Sequence, residues 1–445
     1  MLLSAPSARI AIIGSGISGL GAAWSLRNRN ITLFEQDSRP GGHSNTLDMV
    51  VAGQTVPVDT GFIVYNERNY PNLTQFFRHL AVETAASDMS FSVSVDGGRL
   101  EYSGNSVATL FAQKRNLVNL RHWGMIRDIL RFFRNATALL DQPEADSLSL
   151  EEFLKQGGYG QAFIQDHLLP MAAAIWSAPM TTLRGFPAHR FARFFANHGL
   201  LSVNDRPQWR TVAGGSRTYV RRVLADLPAG VIVNCGIETV RRSDAGVEIR
   251  RGGAWETFDH VILACHADQS LTLLDDADTT EWGVLDSFRF QPNIAYLHRD
   301  ARLMPRRRRA WASWNHLSRT VPGGRDEAAD VSVTYWMNRL QPLPTETDIF
   351  VTLNPLTEPD PALTHARLTY DHPIFDQAAV EAQARLTHLQ GYRNISYAGA
   401  WTGYGFHEDG LRSGLQAGLA LGGVVPWSVT GRSETGTALL AQAAE

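Results

Sequence analysis

"IAIIGSGISGLGAAWSLRNRNITLFEQ", residues 10–36, is the stretch whose reading decides the fold. Ile10 to Ile13 form an apolar run that predicts a buried strand, and Gly14, Gly16 and Gly19 follow with the spacing G-x-G-x-x-G. Ala22, Ala23 and Leu26 recur on one face of a predicted helix, and Ile31 to Phe34 predict a second strand that ends at Glu35. Each glycine answers a physical need. The first permits a tight turn, the second lets backbone approach a pyrophosphate, and the third lets helix pack on strand. A pyrophosphate would lie at the N-terminus of that helix, where unpaired N–H groups point outward. Glu35 follows the first glycine by about twenty residues, where a carboxylate can accept from a ribose hydroxyl. Glycine spacing alone occurs by chance. Strand, turn, helix, strand and terminal acid in that order point to an adenine dinucleotide on an α/β, Rossmann-like fold, without specifying which dinucleotide.

Working outward, the 445 residues are enough for two interleaved domains with separate cores. A formal charge of -3, from 41 basic and 44 acidic residues, gives no reason to expect nucleic acid as a partner. Cys235 and Cys265 are the two cysteines, far apart in apolar segments, and predict free thiols in a reducing, cytoplasmic setting. No basic region precedes a long apolar stretch at the N-terminus, so no signal peptide is expected. No run reaches the length of a membrane span, which leaves peripheral contact with the inner face of a membrane open.

"YPNLTQFFRHL" and "RHWGMIRDILRFFRNATALL" predict helices, and "SFSVSVDGGRLEYSG" predicts a hairpin turning at Asp96-Gly97-Gly98. "FDHVILACHA" and "NISYAGAW" predict further parallel-type strands. Both ends of the chain therefore resemble pieces of one nucleotide-binding sheet with other material inserted. The expected division places 1–64, 211–282 and 390–425 in that domain, 65–210 and 283–389 in a substrate-binding domain of mixed sheet and helices, and 426–445 in a tail without core pattern. A substrate cavity is expected at the boundary.

Several motifs resemble the FAD-containing flavin amine oxidase superfamily, which includes monoamine and polyamine oxidases, protoporphyrinogen oxidase and carotenoid desaturases. The likeness spans residues 8 to about 425 and is most similar to a bacterial branch often encoded beside cyclopropane fatty-acid synthase-like genes. "GSGISGLGAAWSL" with Glu35 matches the first motif, and "DSRPGGHSNT" matches the glycine pair beneath the pyrophosphate, with His43 where the family usually has Arg. "PVDTGFIVYN" matches the segment that approaches the isoalloxazine ring, and "YAGAWTGYGFHEDGLRSG" matches the closing FAD motif. The resemblance implies FAD, held by Gly14, Gly16, Ile17, Ser18, Gly19, Glu35, Gly41, Gly42 and His43. Thr60, Gly61 and Phe62 would lie by the ring, and Ile237 by adenine. Gly399, Asp409, Gly410 and Leu411 complete the set, with a helix starting at Gly410 whose dipole favours reduced flavin. His43 has an alternative reading as a packed loop histidine.

A flavin implies redox chemistry more strongly than it implies a substrate. The branch's gene association implies an unsaturated or methylated fatty-acyl substrate, free or in a phospholipid. It also implies a cyclopropane synthase-like methyltransferase as partner and oxygen or another electron acceptor. A double-bond isomerase, an amine oxidase and a non-catalytic FAD-retaining partner are the alternatives. In "GFHEDG", His407 and Glu408 form a candidate acid/base pair, the alternative being a helix cap and a loop hydrogen bond. Trp176, Trp311, Trp314, Asn315 and Tyr404 are candidate substrate contacts, with core packing as the other reading. Because Trp311 and Trp314 are three apart, a strand would send them to opposite faces. The run Arg306 to Arg309 reads either as a solvated turn or as a cationic patch for lipid phosphate. No metal site is expected.

Overall fold

The computed structural model describes residues 7–141, 148–176, 183–201, 206–228, 230–320 and 329–430. Its central element is a five-stranded, fully parallel sheet, built from β1 (Arg9–Ile13), β2 (Asn30–Phe34), β3 (Val231–Ile232), β4 (His260–Leu263) and β5 (Ile395–Tyr397) in the order β3-β2-β1-β4-β5. The chain thus leaves this sheet twice and returns. Side chains alternate across a strand, so Ile10 and Ile12 enter one core while Ala11 and Ile13 enter the other. Both faces are covered, which is why β1 reads as an unbroken apolar run rather than an alternating one.

Helix α1 (Ile17–Ser25) covers one face and is buried at every residue. It packs along α4 (His407–Ala420), supplied by the far end of the chain. The approach is so close that a Cβ at Gly414 would stand 1.9 Å from the Ser18 carbonyl oxygen. Helix α4 begins three residues earlier than the motif predicts, at His407 rather than Gly410. The reason is Asp409, whose carboxylate accepts the backbone N–H of Phe406 (3.1 Å) and Tyr404 (3.0 Å) and so caps the helix from its third position.

The inserted material forms two layers. A seven-stranded mixed sheet runs, in spatial order, through Thr364–Ile374, Arg289–His298, Phe350–Leu353, Ala329–Trp336, Trp314–Thr320, Phe91–Val95 and Leu100–Ser103. The Phe91–Ser103 hairpin, turning at Asp96-Gly97-Gly98, joins it by a parallel pairing to Trp314–Ser318. Beside it, helix α3 (Leu120–Leu139) and the helices Leu169–Trp176 and Ala188–Asn197 enclose an aromatic core around Phe132, Phe163, Phe191 and Phe195.

The first described part of the tail is not free of the core. Trp427 stacks on Trp24 at 5.7 Å, and the Thr430 N–H donates to Asn72 Oδ1. A flat apolar ring outweighs the polar residues around it, which a window average over 426–445 hides; residues 431–445 lie outside the described residues. Among the described residues no helix is long and apolar enough to cross a membrane.

Candidate functional site

One cavity of about 1110 Å³ reaches from the glycine turn into the inserted layers. Gly14, Gly16, Ile17, Ser18, Glu35 and Gly42 form one share of its wall, joined by His43, Gly61, Phe62, Ile237 and Gly399. Another share comes from Ile126, Ile129 and Phe133 of α3, from Met171 and Ile175, and from Trp314 and Tyr335.

The turn is constructed for an anionic ligand. Helix α1 has Gly16 at its N-cap, with no side chain capping it and no acid in its first turn. Its leading N–H groups therefore meet the cavity beside Ile17 and Ser18 without protein competition. A Cβ at Gly16 would meet nothing within 4 Å, so open space lies before it, whereas one at Gly19 would stand 1.8 Å from the Gly14 carbonyl oxygen. Gly16 faces the ligand space and Gly19 faces protein. Glu35 is fixed at the end of β2 by the Ser15 N–H (2.9 Å) and hydroxyl (2.5 Å) and by the Asp37 N–H (2.9 Å). Oε2 takes both Ser15 donors, whereas Oε1 accepts only the Asp37 N–H and keeps a lone pair for a ribose hydroxyl. Cavity size, open turn and fixed acid together fit an adenine dinucleotide.

His43 is half-buried, with its ring 5.0 Å from Tyr370 and 5.5 Å from His372. Burial, then the neighbouring His372 and His266, holds it well below the usual histidine range. Burial likewise holds His372 down to about 4. These rings are neutral near pH 7, so they would offer a ligand hydrogen-bond donors and acceptors rather than counter-charges. Burial pushes the Cys265 thiol up to about 11, so it is not a thiolate nucleophile.

His407 reaches the cavity wall at the N-terminus of α4. Its ring stacks on Phe62 at 3.8 Å, and its Nε2 lies 2.7 Å from the Tyr219 hydroxyl and 3.2 Å from Ser44 Oγ. Burial holds it down to about 3. A conjugate acid that strong retains a proton poorly near neutrality, so the ring suits a positioning role better than that of a general base.

Glu408 turns away from the cavity. Its Oε1 accepts from the Asn72 N–H (3.0 Å) and amide (2.6 Å), and its Oε2 from the Leu73 N–H (2.9 Å). It caps helix α2 (Pro71–His79), satisfying two donors the helix cannot, and does not line the cavity. Asp409 caps α4, pairs with Arg412 at 2.9 Å and does not line the cavity. Gly410 and Leu411 lie in the α1–α4 contact, where a Cβ at Gly410 would meet Ile17 at 2.7 Å. Gly41 and Thr60 stand behind the wall. The Gly41 N–H donates to the Ser15 carbonyl, and the Thr60 hydroxyl donates to the Asn45 carbonyl at 3.0 Å and lies 2.7 Å from Tyr370 Oη.

Of the five substrate candidates, Trp314 alone lines the cavity. Trp311 packs edge-on to Trp336 and Phe350, its indole N–H donating to the Pro305 carbonyl at 2.7 Å. Asn315 is fully buried, and its amide oxygen and nitrogen are used by Ala312, Ser92 and Thr334. Trp176 sits 4.6 Å from Phe194 inside the aromatic core, which also takes Tyr404. The arginine run is an ion-paired turn. Glu101 accepts from the Arg306 and Arg307 backbones and the Arg307 guanidinium, while Arg308 pairs with Asp348.

Residue-by-residue reading missed Ser44 and Tyr219, which hold His407, and His266 and His372, which face His43. No short spacing links them, because they come from four separate segments. Ile126, Ile129 and Phe133 do recur at helical spacing, but periodicity cannot tell a cavity wall from a core.

The NAD(P)-binding Rossmann-like domain family matches residues 12–80. No curated protein matches the sequence. The CLA-producing fatty acid isomerase of P. acnes is similar in structure, with a TM-score of 0.64 at 16% identity over 93% of this chain and 98% of that one. Cyclohexylamine oxidase from Brevibacterium oxydans IH-35A is similar with a TM-score of 0.64 at 15% identity, over 94% and 99%. A putrescine oxidase bound to putrescine gives 0.56 at 15% identity, over 93% and 98%. At these identities the likeness shows a shared fold across nearly the whole chain: a Rossmann-like α/β domain with mixed-sheet and helical insertions.

Proposed function

We propose that this chain is an FAD-dependent oxidoreductase acting on a hydrophobic fatty-acyl substrate, free or within a phospholipid. The observation that carries the reading is the single cavity whose wall passes from the open dinucleotide turn to the aliphatic faces of α3 and the Leu169–Trp176 helix. When bound, a flavin would take a hydride at N5 and pass the electrons to oxygen or another acceptor. The chain's own residues supply the rest. Glu35 and the α1 N-terminus anchor the nucleotide. His43 and His372 offer neutral donors and acceptors, and the pair formed by Phe62 and His407 fixes the shape of the wall. Ile126, Ile129, Phe133 and Trp314 exclude water from an apolar chain. The amine oxidase alternative is less well served, because no lysine lies among the described residues of the wall and Ile126, Ile129 and Phe133 offer a substrate amine no counter-charge. A cyclopropane synthase-like methyltransferase is part of the proposal as the partner that would supply or share the acyl substrate.

A second reading, a double-bond isomerase without net redox, is favoured by the full-length fold likeness to a fatty acid isomerase. An anaerobic visible spectrum of the FAD-loaded protein, before and after unsaturated phospholipid is added, separates the readings. Bleaching of the oxidised band with a new double bond in the lipid supports the oxidoreductase. An unchanged band with a shifted double bond supports the isomerase. Absence of a flavin spectrum after reconstitution overturns both.

A further inference from the structure

We propose that residues 107–134 form a docking surface for an anionic lipid bilayer, set over an opening of the cavity. Thirteen large apolar side chains are exposed among the described residues, and six of them fall within residues 107–130: Val107, Leu117, Val118, Leu120, Trp123 and Leu130. Val118 and Leu120 retain 84% and 86% of their accessible surface. A soluble fold has no reason to concentrate apolar surface in this way unless another phase covers it.

The patch is ordered rather than incidental. Trp123 donates its indole N–H to the Leu117 carbonyl at 2.9 Å and packs 5.2 Å from Phe111. On α3, Leu120, Trp123, Arg127, Leu130 and Arg134 recur three and four apart, so apolar and cationic groups share the outer face. The inner face buries Met125, Phe132, Ala136 and Leu139.

Charge decides the occupant. The segment carries six Lys or Arg (Lys114, Arg115, Arg121, Arg127, Arg131, Arg134) against one acid, in a chain whose formal charge is -3. That acid, Asp128, is buried and already held by Arg127, Arg131 and the Gly160 N–H. Apolar side chains flanked by cations match the headgroup and acyl boundary of an anionic membrane. A second copy of this chain does not match, because a two-fold contact would set the two cationic sets against each other. Val107 and Leu130 are exposed and also belong to the cavity wall, as does Leu110. The surface therefore opens where an acyl chain would enter.

Bilayer docking depends on this surface alone and not on flavin chemistry. The FAD-loaded protein is floated with phosphatidylcholine vesicles, with and without phosphatidylglycerol. Binding is expected with phosphatidylglycerol, weakening as salt rises. The pair Val118→Glu and Leu120→Glu is expected to lower partition at least about tenfold, and Lys114→Gln with Arg115→Gln to flatten the salt dependence. Trp282→Glu, at an exposed site elsewhere, is expected to leave partition unchanged. Unaltered melting temperature and flavin content show that the variants fold. Quenching of tryptophan fluorescence by brominated lipid, lost in Trp123→Phe, gives an independent reading. Failure of the parent protein to bind phosphatidylglycerol vesicles overturns the proposal. So does undiminished binding by the glutamate pair, or self-association without lipid that the pair abolishes.

Discussion

Helices α1 and α3 meet opposite demands. The nine residues of α1 are all buried, pressed against α4 at a distance only glycine allows. The twenty residues of α3 bury one stripe and leave Leu120, Trp123 and Leu130 in solvent. In the first helix the tolerance for an added atom is nil, because the neighbour is backbone. In the second, shape is loosely constrained and surface chemistry carries the information. A residue type thus means different things in the two places, and glycine shows this most clearly.

The sharpest way to break the comparison is Gly414→Ala. Its methyl would overlap the Ser18 carbonyl, and a loss of about 3 kcal/mol or more is expected in chemical denaturation, with flavin retention falling alongside.

Acid should act on the interior next. Burial holds His316 and His407 down to about 3, and His167, His260, His298 and His372 to about 4. The unfolded chain takes up these protons near pH 6.5, so stability present above that pH is lost as pH falls toward 4. Each ring contributes up to about 1.4 kcal/mol per pH unit. Asp59, pushed up to about 6 by burial, opposes the trend but is outnumbered. A melting temperature that stays flat between pH 6.5 and 5 would contradict the buried, neutral state of these rings.

Glu408→Ala should lower stability by about 1–3 kcal/mol, because it strands two donors at the start of α2. Glu408→Gln, which keeps an acceptor, should recover part of that. Turnover per bound flavin should be unchanged in both, where a catalytic acid would have lost it.

Gly16→Val sharpens the contrast within one motif. The side chain enters open space, so the melting temperature without cofactor should hold while FAD affinity falls at least about tenfold, as read by flavin fluorescence. The smallest effect is of opposite sign. Gly124→Ala, inside α3 with nothing near its Cβ, should gain about 0.5–1 kcal/mol.

What was legible in the sequence follows the same division. The glycine turn, Glu35 and the parallel strands could be read because each depends on neighbours within a few residues. The hairpin at Asp96-Gly97-Gly98 could be read for the same reason. The role of Glu408 could not, since its partners Asn72 and Leu73 lie more than three hundred residues away in the chain. Asn315 reads as a polar probe in an aromatic stretch, and only the register of Trp314–Thr320 against Ala329–Trp336 shows that its amide is spent on backbone. The alternation expected of Trp311 and Trp314 does not apply, because the strand begins at Trp314 and Trp311 ends the short turn Arg308–Ala310; Trp314 lines the cavity while Trp311 packs against Trp336. The apolar period of α3 was visible, but a second stripe is recognised as uncovered only when its surroundings are known.

The contact between α1 and α4 also sets a schedule. The glycine turn is made roughly 390 residues before the helix that closes over α1. At about 5–20 residues per second, roughly 20–80 s of synthesis separates them. For that interval the apolar face of α1 has no final partner. A dinucleotide that needs the closed α1–α4 contact would be captured only after residues near 418 are made, so its binding would follow that contact rather than seed it.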